Sequence, residues 1–176
     1  CASCHGLKYV PLRTLADADR LRSLLPQARS VAIIGGGWIG LEAASAARNA
    51  GVAVTVLESA ELPLLGVLGP RVAEIFADLH RRHGVDLRCG VQVRRLLGSS
   101  DGVTGVDLGD GKVVAADLVL IGVGAIPNTE LAEAAGLAVG NGIEVDELLR
   151  TSDPAIWAAG DVAAVQHPQL GRRIRV

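Results

Sequence analysis

Residues Val31 to Ala44 run VAIIGGGWIGLEAA, an apolar segment that passes into glycines and then into a helical pattern. Its first four residues, Val31 to Ile34, are an unbroken apolar run, as expected of a strand buried on both faces. Gly35, Gly37 and Gly40 then stand at the spacing G-x-G-x-x-G, ahead of a helical pattern expected over Trp38 to Ala50. Each glycine has its own physical reason. Gly35 permits the tight turn out of the strand, Gly37 lets a pyrophosphate approach the backbone, and Gly40 lets the helix lie close to the sheet. Gly40, Ala43, Ala44 and Ala47 recur at i, i+3, i+4 and i+7, a stripe of small residues suited to the same close packing. The first amides of the helix and the positive end of its dipole favour a phosphate at that loop.

The context strengthens the motif. A second strand, expected over Ala53 to Leu57, ends in Glu58, 18 residues past Gly40. A carboxylate there falls where the dinucleotide fingerprint places an acid on ribose hydroxyls.

The 176 residues suffice for one domain with a full core, and a composition of 49% hydrophobic and 20% charged residues with 22 glycines suits an α/β protein. The formal net charge is −2 and no basic run appears, so nucleic acid is not an expected partner. No apolar run approaches the ~18 residues that span a bilayer, and no signal-peptide pattern opens the chain. No membrane association and a cytoplasmic location are the default expectation. The sequence contains no methionine, which suggests a fragment of a longer protein.

Cys1-Ala2-Ser3-Cys4-His5 fits both the C-x-x-C-H of c-type haem attachment and a C-x-x-C redox dithiol. The chain lacks a methionine axial ligand, which disfavours haem, and an exposed linker with two coincident thiols accounts for the segment better than either motif. Cys89 reads as a small core or surface residue. Thr14 to Leu25 reads as a helix capped by Thr14 and Asp17, with Leu15, Ala18, Leu21, Leu24 and Leu25 as its apolar face. Ser59 to Gly69 reads as a loop, and Pro70 opens a helix to about His83 with Val72, Ile75, Phe76 and Leu79 as its buried stripe. His80 and His83 read as solvated helix-end histidines, and no metal site is expected.

From Val85 the period becomes two. Strands expected at Val85 to Arg88, Val91 to Val93, Gly102 to Leu108 and Lys112 to Ala115, with turns at Ser100-Asp101-Gly102 and Asp110-Gly111, make an antiparallel meander. Asp117 to Ile121 returns to a buried apolar strand, followed by Gly122-Val123-Gly124 at the end where parallel sheets admit ligands. A short helix is expected over Thr129 to Ala135 and a strand over Ile143 to Val145. Gly160-Asp161 reads either as the end of a further strand, presenting a carboxylate at a ligand crevice, or as a common Gly-Asp turn, with no core expected beyond it. The fold expected is α/β: a three-layer Rossmann-type parallel sheet with an inserted antiparallel β-meander.

The helix TLADADRLRSLL, the loop GGGWIGLE, the strand end VLES, and the segments IGVGAIPNTELAEAAGL and TSDPAIWAAGD together make the chain similar to a known family. It resembles the FAD-dependent pyridine nucleotide oxidoreductases, in particular the NADH-dependent ferredoxin, rubredoxin and putidaredoxin reductases. The resemblance implies that Gly35, Gly37, Trp38, Ile39, Gly40 and Glu58 hold NADH, and that Glu42 sits near the nicotinamide and flavin. It implies that Gly122, Val123 and Gly124 pass along the dinucleotide, while Gly160 and Asp161 contact FAD. Hydride would pass directly from nicotinamide to flavin, so no catalytic side chain is expected. Electrons would leave for a ferredoxin- or rubredoxin-type partner, and a homodimer is an open expectation. The implied organisation is a linker stub and leading helix over residues 1–29, an NAD-binding Rossmann domain over 30–150, and a stub of the FAD-binding domain over 151–176. Two alternatives stand beside it: a thioredoxin-reductase-like disulfide reductase using Cys1 and Cys4, and a nucleotide-binding module without redox work. Ser59 and Ala60, where NADPH enzymes of the thioredoxin reductase group carry basic residues, favour NADH.

Overall fold

The computed structural model describes residues 9–100, 102–109 and 111–175. The Cys1/Cys4 dithiol and the turn positions Asp101 and Asp110 lie outside them. Strands β1 (Tyr9–Pro11), β2 (Ser30–Ile34), β3 (Ala53–Leu57), β4 (Val85–Arg88) and β8 (Leu118–Ile121) form one all-parallel sheet in the order β1-β8-β2-β3-β4. The apolar run therefore becomes its central strand, paired to β3 from Ser30 to Ile34 and to β8 from Val31 to Ile34. Its side chains alternate between two cores, as the period of two requires. Val31 and Ile33 join one, with Ala44, Ala47 and Ala77 from the helices; Ala32 and Ile34 join the other.

The first face is covered by α1 (Leu15–Leu24), α2 (Trp38–Asn49) and α3 (Leu65–Arg82). The second is covered by a three-stranded antiparallel sheet of β5 (Arg95–Ser99), β6 (Gly102–Asp107) and β7 (Val113–Ala115). Val103, Val106 and Val114 of that sheet pack on Ala32, Ile34 and Val119. The result is helices, parallel sheet and meander in three layers, as expected.

Several local expectations need correction. Strand β4 pairs parallel to β3 and belongs to the main sheet, not to the meander. Residues 91–94 are not a strand; the first meander strand is β5, with a register irregularity at Leu97/Gly98. Thr14 and Asp17 do form a reciprocal capping box on α1, but Leu15 is exposed and the helix packs only through partly buried residues such as Leu21 and Leu24. Helix α3 begins at Leu65, inside the expected loop, and Gly69 (φ 71°, ψ 170°) interrupts it before Pro70. Its buried residues are Ala73 and Ala77, whereas Val72, Ile75 and Leu79 are exposed. Small side chains let α3 lie close against the core, and wider ones on that line would hold it away.

The chain divides into two compact units, the second beginning at Ala125. That second unit contains α4 (Glu130–Ala134) and a four-stranded sheet in the order β12-β11-β10-β9. Its strands are β9 (Val139–Gly140), β10 (Gly142–Val145), β11 (Ala163–His167) and β12 (Arg172–Arg175). Val145, Ala158, Ala163 and Val165 make a small core there, so the expectation of no core after Asp161 is wrong.

At the amino end of the central strands, Asp117 clamps the sheet. Its Oδ2 accepts from the amides of Arg29 (3.0 Å) and Ser30 (3.1 Å) and from the Ser30 hydroxyl (3.2 Å). Partial burial raises its pKa, but the Arg29 and Ser30 hydrogen bonds outweigh it and hold the carboxyl below the usual range. Asp117→Ala is expected to lose about 1–3 kcal/mol of stability, because donors at the strand start lose their charged acceptor. A depressed carboxyl contributes stability that is present at neutral pH and lost as pH falls through the folded pKa. Denaturant titrations of both proteins should therefore show the difference at pH 7 and show it shrinking below about pH 4.

Candidate functional site

The sheet order reverses between β2 and β8, the place where open parallel sheets form a crevice at their carboxyl ends. The crevice measures about 580 Å³ and is lined from the main sheet by Gly35, Gly37, Glu58, Ser59 and Gly122 to Gly124. Gln92 and Arg95, from the segment after β4 and the first meander strand, complete its polar wall.

Glycine shapes the floor. Gly35 turns out of β2 at φ 104°, and a Cβ on it would run into the Gly122 carbonyl oxygen. A Cβ on Gly40 would run into the Gly35 carbonyl oxygen and lie 3.4 Å from Ile33 Cγ2. Gly35 donates to the Leu57 carbonyl and Gly122 donates to the Ile34 carbonyl, each at 2.8 Å. The ends of β2, β3 and β8 are thereby tied together around α2. Gly37 differs: it is the α2 N-cap, and a Cβ built on it meets nothing within 4 Å. With no side chain at the cap, no side-chain acceptor serves the first amides of α2.

Glu58 faces this floor. Its Oε2 accepts from the Gly36 amide at 2.6 Å, and its Oε1 accepts from the Ala60 amide at 2.8 Å and the Ser59 hydroxyl at 3.2 Å. The acid at the end of β3 thus fastens the glycine turn as well as facing the crevice. Gly36, the middle glycine of the run, was not singled out in the sequence; a Cβ there would lie 3.0 Å from Glu58 Oε2 and 3.1 Å from Pro63 Cβ. Three consecutive glycines were the available signal. Arg95 was missed for a different reason: the strand was sought four residues too early.

The residues named from sequence fall into three places. Gly35, Gly37, Glu58, Gly122, Val123 and Gly124 line the crevice, and Gly40 is buried beneath the turn. Trp38 and Glu42 instead line a groove of about 530 Å³ between α2 and α3, with Phe76 and His80. Trp38 meets Phe76 edge to face at 5.6 Å, and Ile39 is exposed beside it. Gly160 and Asp161 belong to the second unit, in a single turn of 3-10 helix that precedes β11. No strand ends in that pair: the segment before it makes only an isolated bridge between Arg150 and Trp157.

His80 is not the solvated histidine expected. It is partly buried, its Nδ1 lies 2.9 Å from the Phe76 carbonyl and its Nε2 3.3 Å from the Leu41 carbonyl, which links α3 to α2. Cys89 packs partly buried against the helical core, and burial pushes its thiol up, away from a reactive thiolate. Among the described residues no helix is long and apolar enough to cross a membrane.

A family profile described as pyridine nucleotide-disulphide oxidoreductase matches residues 2–174. The putidaredoxin reductase of Pseudomonas putida is 46% identical over 167 residues, covering 94% of this chain and 40% of that protein. A ferredoxin reductase subunit of a 5,5′-dehydrodivanillate O-demethylase from a Sphingobium species is 44% identical over 168 residues, with the same coverage of 94% and 40%. A solved ferredoxin reductase from Rhodopseudomonas palustris superposes with a TM-score of 0.87 at 42% identity, covering 99% of this chain and 43% of that one. The chain thus spans about 40% of the length of these curated relatives.

The glycines separate by what a methyl group would meet. Gly40→Ala forces backbone apart and should cost about 1–3 kcal/mol, as overpacking does. Gly37→Ala enters open space and should cost only about 1 kcal/mol or less, the loss of a tolerated N-cap residue. Paired denaturant curves check both, and a Gly37→Ala loss equal to that of Gly40→Ala would refute the assignment.

Proposed function

Because the chain belongs to the pyridine nucleotide-disulphide oxidoreductase family, we propose that it is the NADH-binding part of a flavin-dependent reductase. That enzyme passes electrons from NADH through FAD to a ferredoxin- or rubredoxin-type acceptor. The observation that carries the reading is the convergence of the Gly35–Gly37 turn, the Glu58 carboxylate and the Gly122–Gly124 loop on one crevice at the switch point. The donor set fits a dinucleotide: the open space at Gly37 admits a pyrophosphate to within contact of the backbone, where a side chain would stand in its way.

NADH supplies the hydride and FAD receives it; this chain supplies position. The amides of Trp38, Ile39 and Gly40 at the start of α2 receive the pyrophosphate. Glu58 accepts from Gly36, Ala60 and Ser59, which leaves about one further acceptor position, and a ribose hydroxyl donates to it. The Gly122–Gly124 loop carries the dinucleotide toward the nicotinamide end, whereas the Trp38 and Glu42 side chains line the groove between α2 and α3, outside the crevice lining. Gly160 and Asp161 are assigned to FAD contacts, residues 30–150 to the nucleotide-binding domain, and residues 151–176 to the returning edge of the FAD-binding domain. A solved relative is a putidaredoxin reductase joined covalently to putidaredoxin, which supports a ferredoxin-type acceptor. The reading puts the parent enzyme in the cytoplasm, with its NADH supply.

Two expected outcomes test this. The phosphate of NADPH meets Glu58: like charges about 4 Å apart repel by about 4 kcal/mol at an effective dielectric of 20. Half of that is roughly 30-fold in affinity, so calorimetric titration should show NADH binding about 10- to 30-fold tighter than NADPH. Glu58→Ala should narrow the ratio, and should also weaken NADH itself because the Gly36 amide loses its acceptor. Gly37→Ala should leave the fold intact yet weaken both nucleotides about tenfold or more; unaltered affinity would remove the pyrophosphate from this turn.

A further inference from the structure

Arg95 opens β5 and carries the one positive charge among the described residues lining the crevice, where Glu58 carries the one negative charge. It pairs directly across the meander with Asp107 of β6, and its Nε donates to Asp107 Oδ2 at 3.0 Å. The two side chains differ in setting: that of Asp107 is 13% exposed and that of Arg95 is 67% exposed. Asp107 is held in turn, because its Oδ1 accepts from the Gly109 amide at 2.8 Å. The Gly109 amide and the Arg95 guanidinium hold the Asp107 carboxyl below its usual range. An exposed pair of this kind adds little stability. It does anchor a planar donor fork by one nitrogen, leaving the Nη N–H groups outside the contact.

The position of Arg95 selects what it meets. The pyrophosphate belongs at the Gly35–Gly37 turn, between β2 and β8. Arg95 opens β5 directly after residues 91–94, a segment whose Val91 amide donates to the Glu58 carbonyl at 3.0 Å. It thus lines the crevice on the side where β3 ends in Glu58, which is the adenosine side. We infer that Arg95 is the phosphate-recognising cation of that side, through which the crevice accepts a 2′-phosphorylated adenine dinucleotide in spite of Glu58. The inference rests on the nucleotide reading above. It makes the preference for NADH a balance between two opposite charges, with neither alone setting it.

The test is calorimetric titration of the 176-residue protein and its variants with NADH, NADPH, 2′-AMP and adenosine. Arg95→Ala is expected to weaken NADPH and 2′-AMP about 5- to 20-fold, the span of one charge-assisted contact. NADH and adenosine should stay within about twofold. Arg95→Gln keeps a donor for Asp107 while removing the charge, so it should show the same loss even if Arg95→Ala folds poorly by circular dichroism. Arg95→Lys should retain part of the NADPH affinity. NADPH and 2′-AMP binding unchanged in the Ala and Gln variants would overturn the inference while leaving the NADH site standing. So would an equal loss of NADH, which would mark Arg95 as a general support of the crevice. Failure of the unaltered, folded protein to bind NADH would overturn the nucleotide reading and this inference with it.

Discussion

Three backbones meet in this protein with no room for a Cβ between them, and the rest of the unit is built around that approach. Gly40 at the start of α2 lies against the Gly35 carbonyl, and Gly35 lies against the Gly122 carbonyl. The consequence is geometric. The first turn of α2 can sit directly at the carboxyl ends of β2 and β8 only because Gly35 and Gly40 carry no side chain. That placement brings helix amides, a strand-end carboxylate and a second glycine loop to one crevice. Close packing continues down the same helix through Ala44 and Ala47, both buried, which keeps α2 near the sheet over its whole length.

Glu58 then couples recognition to architecture. An acid placed only to accept ribose hydroxyls could be exchanged without harm to the turn. Here Oε2 is already bonded to the Gly36 amide, inside the glycine run. The same carboxylate reaches Ala60 on its other oxygen, so it also fixes the chain leaving β3. Nucleotide choice and turn geometry are therefore not independent variables, and a change of charge at position 58 acts on both.

The parts of this arrangement that rest on glycine spacing and on periodicity were readable from the sequence. The run Val31 to Ile34, the helix behind it and the strand before Glu58 each obey a strong local rule, and all three form where those rules put them. The parts that failed depend on tertiary choice. On α3 the large apolar residues Val72, Ile75 and Leu79 outweigh Ala73 and Ala77 in any hydrophobicity count, yet close approach to the core selects the alanines. In the meander, Val91 and Val93 look more strand-like than Arg95 to Ser99, whose pairing shows only when β6 is set beside it. Arg95 was hidden by the same slip. The strand expected before Gly160 is absent because residues 151–159 spend their hydrogen bonds on local turns about Thr151 and Asp153.

The meander also answers a problem of electrostatics that the parallel sheet cannot answer by itself. A cation placed at Ser59 or Ala60 would pair with Glu58 and occupy the oxygens that the Gly36 amide and a ribose need. Arg95 comes instead from another sheet and brings its own counter-ion, Asp107, which is itself bonded to the Gly109 amide. The guanidinium is thus anchored by Nε on its own strand pair with its Nη groups outside that contact, and the Glu58 carboxylate is bonded to N–H and O–H donors alone. Two opposite charges can share one crevice without cancelling because each is already satisfied by its own layer of the fold.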